Sequence, residues 1–282
     1  MINIKYTQNF YTNQKNLKRI IESINLHSCD TVIDIGAGEG VITKELVKHC
    51  DNVIAYELDP KYFDILEKNF KDNHTVVLRN EDFLTSTLPN KEYKVFANIP
   101  FSLTSDIINK ITETDSKLVE AYLFVQKESA ERYTGIYKNT QISTILSSSY
   151  NLIVTKNFDR RDFNPIPNVD IVLLRITKKN NPEKEFELYR DFITYVFNQI
   201  NSSVLETFKK LFTFNQLKYI KENLKKNGYN IPSDIPSQYY LEIFKYFKAN
   251  GVNYRKRVDG YYTKHINKHL GREKINRTRI KG

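Results

Sequence analysis

The tetrapeptide Asn98-Ile99-Pro100-Phe101 is where this 282-residue chain places side chains most directly suited to chemistry. An Asn side-chain oxygen and a neighbouring backbone carbonyl, here that of Ile99 or Pro100, are both acceptors. Together they can hold the two hydrogens of an exocyclic amino group. On a base such as adenine the amino lone pair is delocalised into the ring. Gripping both hydrogens draws the nitrogen toward a tetrahedral geometry and frees that lone pair for attack. Phe101 can stack on a base that has left its own stack. Transfer of a group to such a nitrogen needs no metal, because positioning and electrostatics carry the acceleration. The plainer alternative is a strand-ending turn with a buried aromatic.

A second constellation lies upstream. Asp34-Ile35-Gly36-Ala37-Gly38-Glu39-Gly40 follows an apolar run and precedes a helical pattern. Gly36 and Gly38 let the backbone turn tightly and approach a ligand where a Cβ would clash. The spacing departs from the dinucleotide G-x-G-x-x-G pattern, and an acid precedes the loop. Glu57, about 20 residues on, stands where a carboxylate accepts from both hydroxyls of a ribose. Asp82 closes the next strand and can accept from the amino group of a bound nucleoside. Leu58 and Phe83, adjacent to these acids, complete the candidate cofactor-binding set with Asn98. Each acid taken alone also reads as a loop charge or helix cap.

These residues need strand ends to hold them. TVIDIG (Thr31 to Gly36), NVIAYEL (Asn52 to Leu58), TVVLRN, YKVFAN and LVEAYLFV read as strands, with helices from Val41 to Lys48 and from Pro60 to about Phe70. Strands alternating with helices imply a parallel sheet covered on both faces. SYNLIVTKNF and VDIVLLRIT, joined through the DFNPIPN turn, predict an antiparallel ending to that sheet. The fold class expected is α/β: a Rossmann-like domain over residues 1–180. Amphipathic helical segments then predict a small helical domain over 181–250, followed by a basic tail over 251–282.

The net charge of +10 is uneven. Residues 1–182 carry 23 basic and 23 acidic side chains, 183–250 carry 10 and 8, and 251–282 carry 10 and only 2. A basic end on a neutral body suits a polyanion, although a solvated, disordered tail gives the same composition. No apolar run of about 18 residues predicts a membrane span, and the N-terminal residues lack the apolar core of a secretory signal. Cys29 and Cys50 are too few for a disulfide framework or a four-cysteine metal site. They are expected reduced, near the core of a cytoplasmic protein that holds no metal.

Taken in order, the motifs resemble those of the ribosomal RNA adenine N6-dimethyltransferase superfamily, which includes the Erm resistance enzymes and the KsgA housekeeping enzymes. Tyr6-Thr7-Gln8-Asn9-Phe10 is similar to the family's N-terminal Gln-Asn-Phe motif. Asp34 to Gly40, Glu57, Asp82 and Asn98 to Phe101 follow, with Phe101 where many members have tyrosine. Asp162 to Asp170 resembles the Phe-x-Pro-x-Pro-x-Val segment. The resemblance is dense from about Tyr6 to Ile176. It implies S-adenosylmethionine as cofactor, with Asn9 and Tyr11 closing over it. Asn139 to Ser143 and Leu211 to Gln216 look more like Erm than KsgA. That branch implies N6 methylation of one adenine in 23S rRNA and resistance to macrolide, lincosamide and streptogramin B antibiotics. A KsgA-like enzyme of 16S rRNA, a non-catalytic RNA-binding assembly factor and a DNA adenine methyltransferase remain as alternatives.

RNA is expected to cross a positive cleft. Lys127, Arg132, Arg160 and Arg161 are candidate phosphate contacts on the first domain, and Arg255, Lys256 and Arg257 on the basic tail, where tyrosines interleave with cations. Each is equally readable as a solvated surface charge. The protein is expected to be a monomer with no membrane partner.

Overall fold

The computed structural model describes residues 9–199 and 203–269. The chain divides into two compact units, Met1–Pro182 and Glu183–Gly282.

In the first unit the strands are β1 (Phe10–Tyr11), β2 (Thr31–Ile35), β3 (Asn52–Tyr56), β4 (Val76–Arg79), β5 (Tyr93–Asn98), β6 (Leu118–Gln126), β7 (Tyr150–Asn157), β8 (Phe163–Asn164) and β9 (Ile171–Lys178). The helices are α1 (Gln14–Ser23), α2 (Val41–Leu46), α3 (Pro60–Phe70), α4 (Thr104–Ile111), α5 (Lys127–Thr134) and α6 (Gln141–Leu146). Seven strands form one sheet in the order β4-β3-β2-β5-β6-β9-β7, and β1 pairs with β8 in a separate two-stranded ribbon. Strands β2 to β6 run parallel. The antiparallel ending expected from the sequence is present, but β9 inserts between β6 and β7 and leaves β7 at the edge.

Side-chain alternation explains why the central strands read as continuous apolar runs. Ile33, Val95, Ala97, Leu123, Val125 and Leu174 pack into a core on one face, and Val32, Val53, Phe96, Phe124 and Leu173 into another on the opposite face. Each buried Val, Ile, Leu or Phe among them contributes about 1.5–3 kcal/mol before entropy is counted. The strand order reverses between β2 and β5. Open α/β sheets bind ligands in the crevice outside the carboxyl ends of strands at such a switch, and Gly36 and Asn98 stand at those two ends. Cys50 lies in the core as expected, whereas Cys29 is exposed.

The second unit is helical: α7 (Phe186–Phe197), α8 (Val204–Lys209), α9 (Phe214–Asn227), α10 (Ser237–Asn250) and α11 (Tyr261–His269). Buried aromatics including Tyr189, Phe192, Phe208, Phe212, Phe244 and Phe247 make its core. The basic segment from Gly251 does not stand apart from this unit as a tail as far as it is described. It forms a 3₁₀ turn over Val252–Arg257 and then α11, and Val258 between them is fully buried. Both carboxylate oxygens of Asp191 accept backbone N–H bonds, from Gly260 (2.7 Å) and Tyr262 (2.8 Å), which caps α11. The Arg190 guanidinium lies 4.2 Å from the centre of the Tyr262 ring.

Candidate active site

The glycine loop is pinned from behind. The N–H groups of Gly36 and Ala37 both donate to the Tyr56 carbonyl at the end of β3 (2.8 and 2.9 Å). Gly38 N–H donates to Glu57 Oε2 (2.7 Å), and Asp59 N–H donates to Oε1 (2.8 Å). Gly38 has φ +57°, and a Cβ there would stand 3.0 Å from the Phe10 ring. Gly40 (φ +86°) serves packing: a Cβ would meet Phe70 Cε2 at 2.6 Å. Beneath the loop Asp34 is fully buried. Its Oδ2 accepts from Thr43 Oγ1 (2.7 Å), while Oδ1 has no partner. Burial pushes its carboxyl up to about 7; the Thr43 bond opposes this and the Glu57 charge adds to it.

The hydrogen bonds of this loop distinguish two kinds of ligand. A pyrophosphate cradle needs outward backbone N–H donors. Here Gly36, Ala37, Gly38 and Gly40 have already committed theirs inside the protein. Glu57, which backs the loop, is buried (2% exposed) and offers acceptor chemistry. Each Glu57 oxygen takes one N–H bond and keeps capacity for another. Asp82, half-buried, uses Oδ1 to accept from Leu84 N–H (2.8 Å). The hydroxyl and amino donors of a nucleoside, beside a cationic sulfonium, fit those acceptors better than the pyrophosphate of a dinucleotide does.

The amide of Asn98 is oriented by its neighbour. Its Nδ2 lies 2.7 Å from the Asn9 carbonyl, which can only accept, so the nitrogen must face Asn9 and Oδ1 is the remaining acceptor. Asn9 is itself held. Its Nδ2 donates to the Pro165 carbonyl (2.6 Å), and the β1–β8 pairing aligns Phe10 with Asn164 and Tyr11 with Phe163. Asn9 and Phe10, the Asn164–Pro165 segment and the end of β5 therefore form one connected frame; Tyr6, Thr7 and Gln8 of the N-terminal motif lie outside the described residues. Past Asn98, Leu103 N–H donates to the Pro100 carbonyl (2.9 Å) and Thr104 Oγ1 to that of Phe101 (3.0 Å), closing a 3₁₀ turn over Phe101–Leu103. Asn9, Phe10, Gly36, Asn98, Ile99, Pro100 and Phe101 line one open cleft.

Several expected site residues lie elsewhere. Tyr11 does not face the cleft: it is buried among Phe124, Phe158 and Phe163, with its hydroxyl accepting from Asn16 Nδ2 (2.7 Å). Burial, with help from the Asp162 charge, pushes that hydroxyl up to about 12. Strand alternation gives the reason, since in β1 Tyr11 points inward while Phe10 points at the glycine loop. Phe10, 5.2 Å from the Tyr62 ring, is the aromatic that the sequence reading missed. Its place inside the Gln-Asn-Phe motif was the available signal; Tyr62 had none. Leu58 is 44% exposed at the crevice rim, whereas Phe83 is buried edge-on to Tyr56.

Most of the candidate phosphate contacts are exposed but already engaged. Arg132 Nη2 donates to Ser105 Oγ (3.1 Å), Arg160 pairs with Asp170 (3.2 Å), and Arg161 pairs with Asp159. In the second unit Arg255 pairs with Asp259 (3.3 Å), and Arg257 donates to the Lys210 carbonyl (2.6 Å). Such surface pairs hold by about 1 kcal/mol or less, so they can exchange for a phosphate. Lys127 and Lys256 are exposed. Among the described residues no group of three His, Cys, Asp or Glu side chains is placed to hold a metal ion, and no helix is long and apolar enough to cross a membrane.

Residues 1–249 match the family described as ribosomal RNA adenine dimethylase. An rRNA adenine N-6-methyltransferase of Escherichia coli is 32% identical over 253 residues, covering 88% of this chain and 98% of its own length. A ribosomal RNA small subunit methyltransferase A of Mycoplasmopsis pulmonis is 31% identical over 224 residues, covering 77% and 86%. The crystal structure of the 23S rRNA methyltransferase ErmE superposes with a TM-score of 0.76 at 23% identity, covering 85% of this chain and all of that one, which shows the shared fold. The chain belongs to the ribosomal RNA adenine dimethylase family and is an rRNA adenine N6-methyltransferase whose methyl donor is S-adenosylmethionine.

Proposed function

We propose that this enzyme methylates N6 of a single adenine in 23S rRNA, acting as a monomer in the bacterial cytoplasm, and that the mark confers resistance to macrolide, lincosamide and streptogramin B antibiotics. The catalytic reading rests on the amide of Asn98, whose nitrogen is taken by the Asn9 carbonyl so that Oδ1 is the acceptor. Asn98 Oδ1 binds one N6 hydrogen. The Pro100 carbonyl already carries the turn bond from Leu103, which makes the Ile99 carbonyl the better acceptor for the other. Phe101 stacks on the base. Glu57 accepts from ribose hydroxyls, Asp82 from the nucleoside amino group, and Leu58 flanks the base. Gly36 and Gly38 admit the cofactor's close approach, and Asn9 and Phe10 cover it. When bound, S-adenosylmethionine supplies a methyl carbon on a sulfonium, open to in-line displacement.

The large-subunit choice is supported by the Erm-like segments Asn139 to Ser143 and Leu211 to Gln216. Each contains a reciprocal capping box, Thr140 with Ser143 at the start of α6 and Thr213 with Gln216 at the start of α9. The small-subunit relative at 31% identity favours a second reading, methylation of 16S rRNA. Transfer of labelled methyl to unmodified 23S and 16S rRNA, mapped by primer extension, separates the two. A stop at one 23S adenine is expected, and Asn98→Ala should lower turnover about 10²–10³-fold, the usual loss for one oriented transition-state contact. Label confined to 16S rRNA would overturn the 23S reading. Undiminished turnover in Asn98→Ala would overturn the role of Asn98.

A further inference from the structure

Scattered exposed apolar residues need no explanation, but Ile136 and Tyr137 are consecutive. They are 67% and 79% exposed, and Tyr137 is the most exposed large hydrophobic residue among those described. Their loop is firmly built. Gly135 ends α5 in the left-handed region, with its N–H bonded to the Glu131 carbonyl (3.0 Å). At the far end, Thr140 Oγ1 donates back to the Arg132 carbonyl (2.8 Å) and Thr140 caps α6. With both ends tied together, the frame itself holds the two side chains in water.

The loop is also tethered to the catalytic turn. Arg132 Nη2 donates to Ser105 Oγ (3.1 Å), and Ser105 follows Thr104, whose hydroxyl holds the Phe101 carbonyl. Tyr137 lies five residues beyond Arg132, a chain reach of at most about 18 Å. Exposed Arg132 and Lys138 bracket the apolar pair, and with Lys127 they set three positive charges against Glu128 and Glu131 of α5, so the local charge is only slightly positive. Aromatic surface among cations, close to where a base is unstacked, is the composition that holds single-stranded nucleotides. The small net charge leaves contact with the base, more than attraction for phosphate, as the source of affinity.

We propose that Ile136 and Tyr137 form a stacking platform for a base flanking the target adenine, holding the rRNA strand open while the target occupies the cleft. This rests on the placement of that adenine at Asn98–Phe101 given above. The test measures KM and kcat for methyl transfer to whichever rRNA the wild-type enzyme accepts, 23S or 16S, at several salt concentrations. The variants are Tyr137→Ala, Tyr137→Phe and Ile136→Ala, and equal binding of S-adenosylmethionine checks their fold. Loss of one stacked base should raise KM about five- to a hundredfold in Tyr137→Ala, with kcat and the salt slope unchanged. Ile136→Ala should shift KM in the same direction, and Tyr137→Phe should behave as wild type. An unchanged KM in Tyr137→Ala would overturn the proposal. So would a Tyr137→Phe variant as impaired as Tyr137→Ala, which would assign the effect to the hydroxyl. A failure of the underlying active-site reading shows separately, as full turnover in Asn98→Ala.

Discussion

Replacing Asp34 with Asn should remove a pH dependence that the native fold carries beneath its cofactor loop. The Asp34 carboxyl is fully buried with one oxygen unpartnered, and burial raises it to about 7. In the unfolded chain it titrates near its ordinary value of about 4. The folded state thus holds the proton more tightly. Between about pH 4 and pH 7 the unfolded chain binds fewer protons than the folded one, so stability falls as pH rises through that window. Below it both states are protonated, and above it both are ionised and the loss is complete. A difference of about 3 units at 1.36 kcal/mol each amounts to about 4 kcal/mol. Asn keeps an acceptor for the Thr43 hydroxyl but places an amide nitrogen where the unpartnered oxygen lies, a cost of about 1–3 kcal/mol that does not vary with pH. Wild type has lost about 1.5 kcal/mol of its proton-linked stability by pH 5 and about 4 kcal/mol by pH 8, so the two proteins should be of similar stability at pH 5 and Asp34→Asn the more stable at pH 8. Hydrogen exchange of β2 and β5 amides in the ligand-free protein, from pH 5 to 8.5 and corrected for intrinsic rates, reads the first unit alone. Parallel stability profiles for the two proteins would refute the assignment of a buried, proton-holding Asp34.

Gly40→Ala should destabilise the first unit by about 2–5 kcal/mol, since it combines a left-handed φ with a Cβ 2.6 Å from Phe70. Gly228→Ala, also left-handed but with nothing within 4 Å of the new Cβ, should cost only about 1–2 kcal/mol in urea unfolding. Phe10→Ala should raise the Kd for S-adenosylmethionine in calorimetry about tenfold, the scale of one lost aromatic contact. Tyr11→Phe should leave that Kd unchanged and cost about 1 kcal/mol of stability through the lost Asn16 bond; a reversed pair of results would return Tyr11 to the cofactor site. Asp191→Ala should destabilise the second unit by about 1–2 kcal/mol and open the segment after Gly251 to protease, because two capped N–H groups lose their acceptor.

The parallel sheet and its glycine loop were legible because both are written locally. A run such as TVIDI buried on both faces has no polar alternation to confuse it, and a glycine turn at its end marks the crevice. The Asn98–Phe101 turn was legible by residue type. What stayed hidden depended on partners distant in sequence. Nothing near Tyr11 announces that Phe163, 152 positions later, pairs with it and fixes which of Phe10 and Tyr11 faces the cleft. Nor does the composition after Gly251, which reads as a solvated basic tail, show that Asp191 waits 69 and 71 residues upstream to cap a helix there. The insertion of β9 between β6 and β7 is likewise set by pairing along whole strands.

Glycine count and spacing alone would have left the nature of the ligand open; hydrogen-bond accounting narrows it. In a phosphate-binding loop the backbone amides point outward and the first side chain needed is a hydroxyl or a cation. In this loop the amides of Gly36, Ala37 and Gly38 turn back onto Tyr56 and Glu57, so those three donors are not offered to an anion. The same inward commitment fixes the Glu57 carboxylate behind the loop, because its side chain is held by the N–H groups of Gly38 and Asp59. A loop of this polarity repels phosphate, while the exposed Lys127 and Arg132 of α5 attract it. An enzyme that must hold a cationic donor beside a polyanionic substrate needs that division. The residues that produce it, two glycines and one glutamate, are the same ones that make the turn possible.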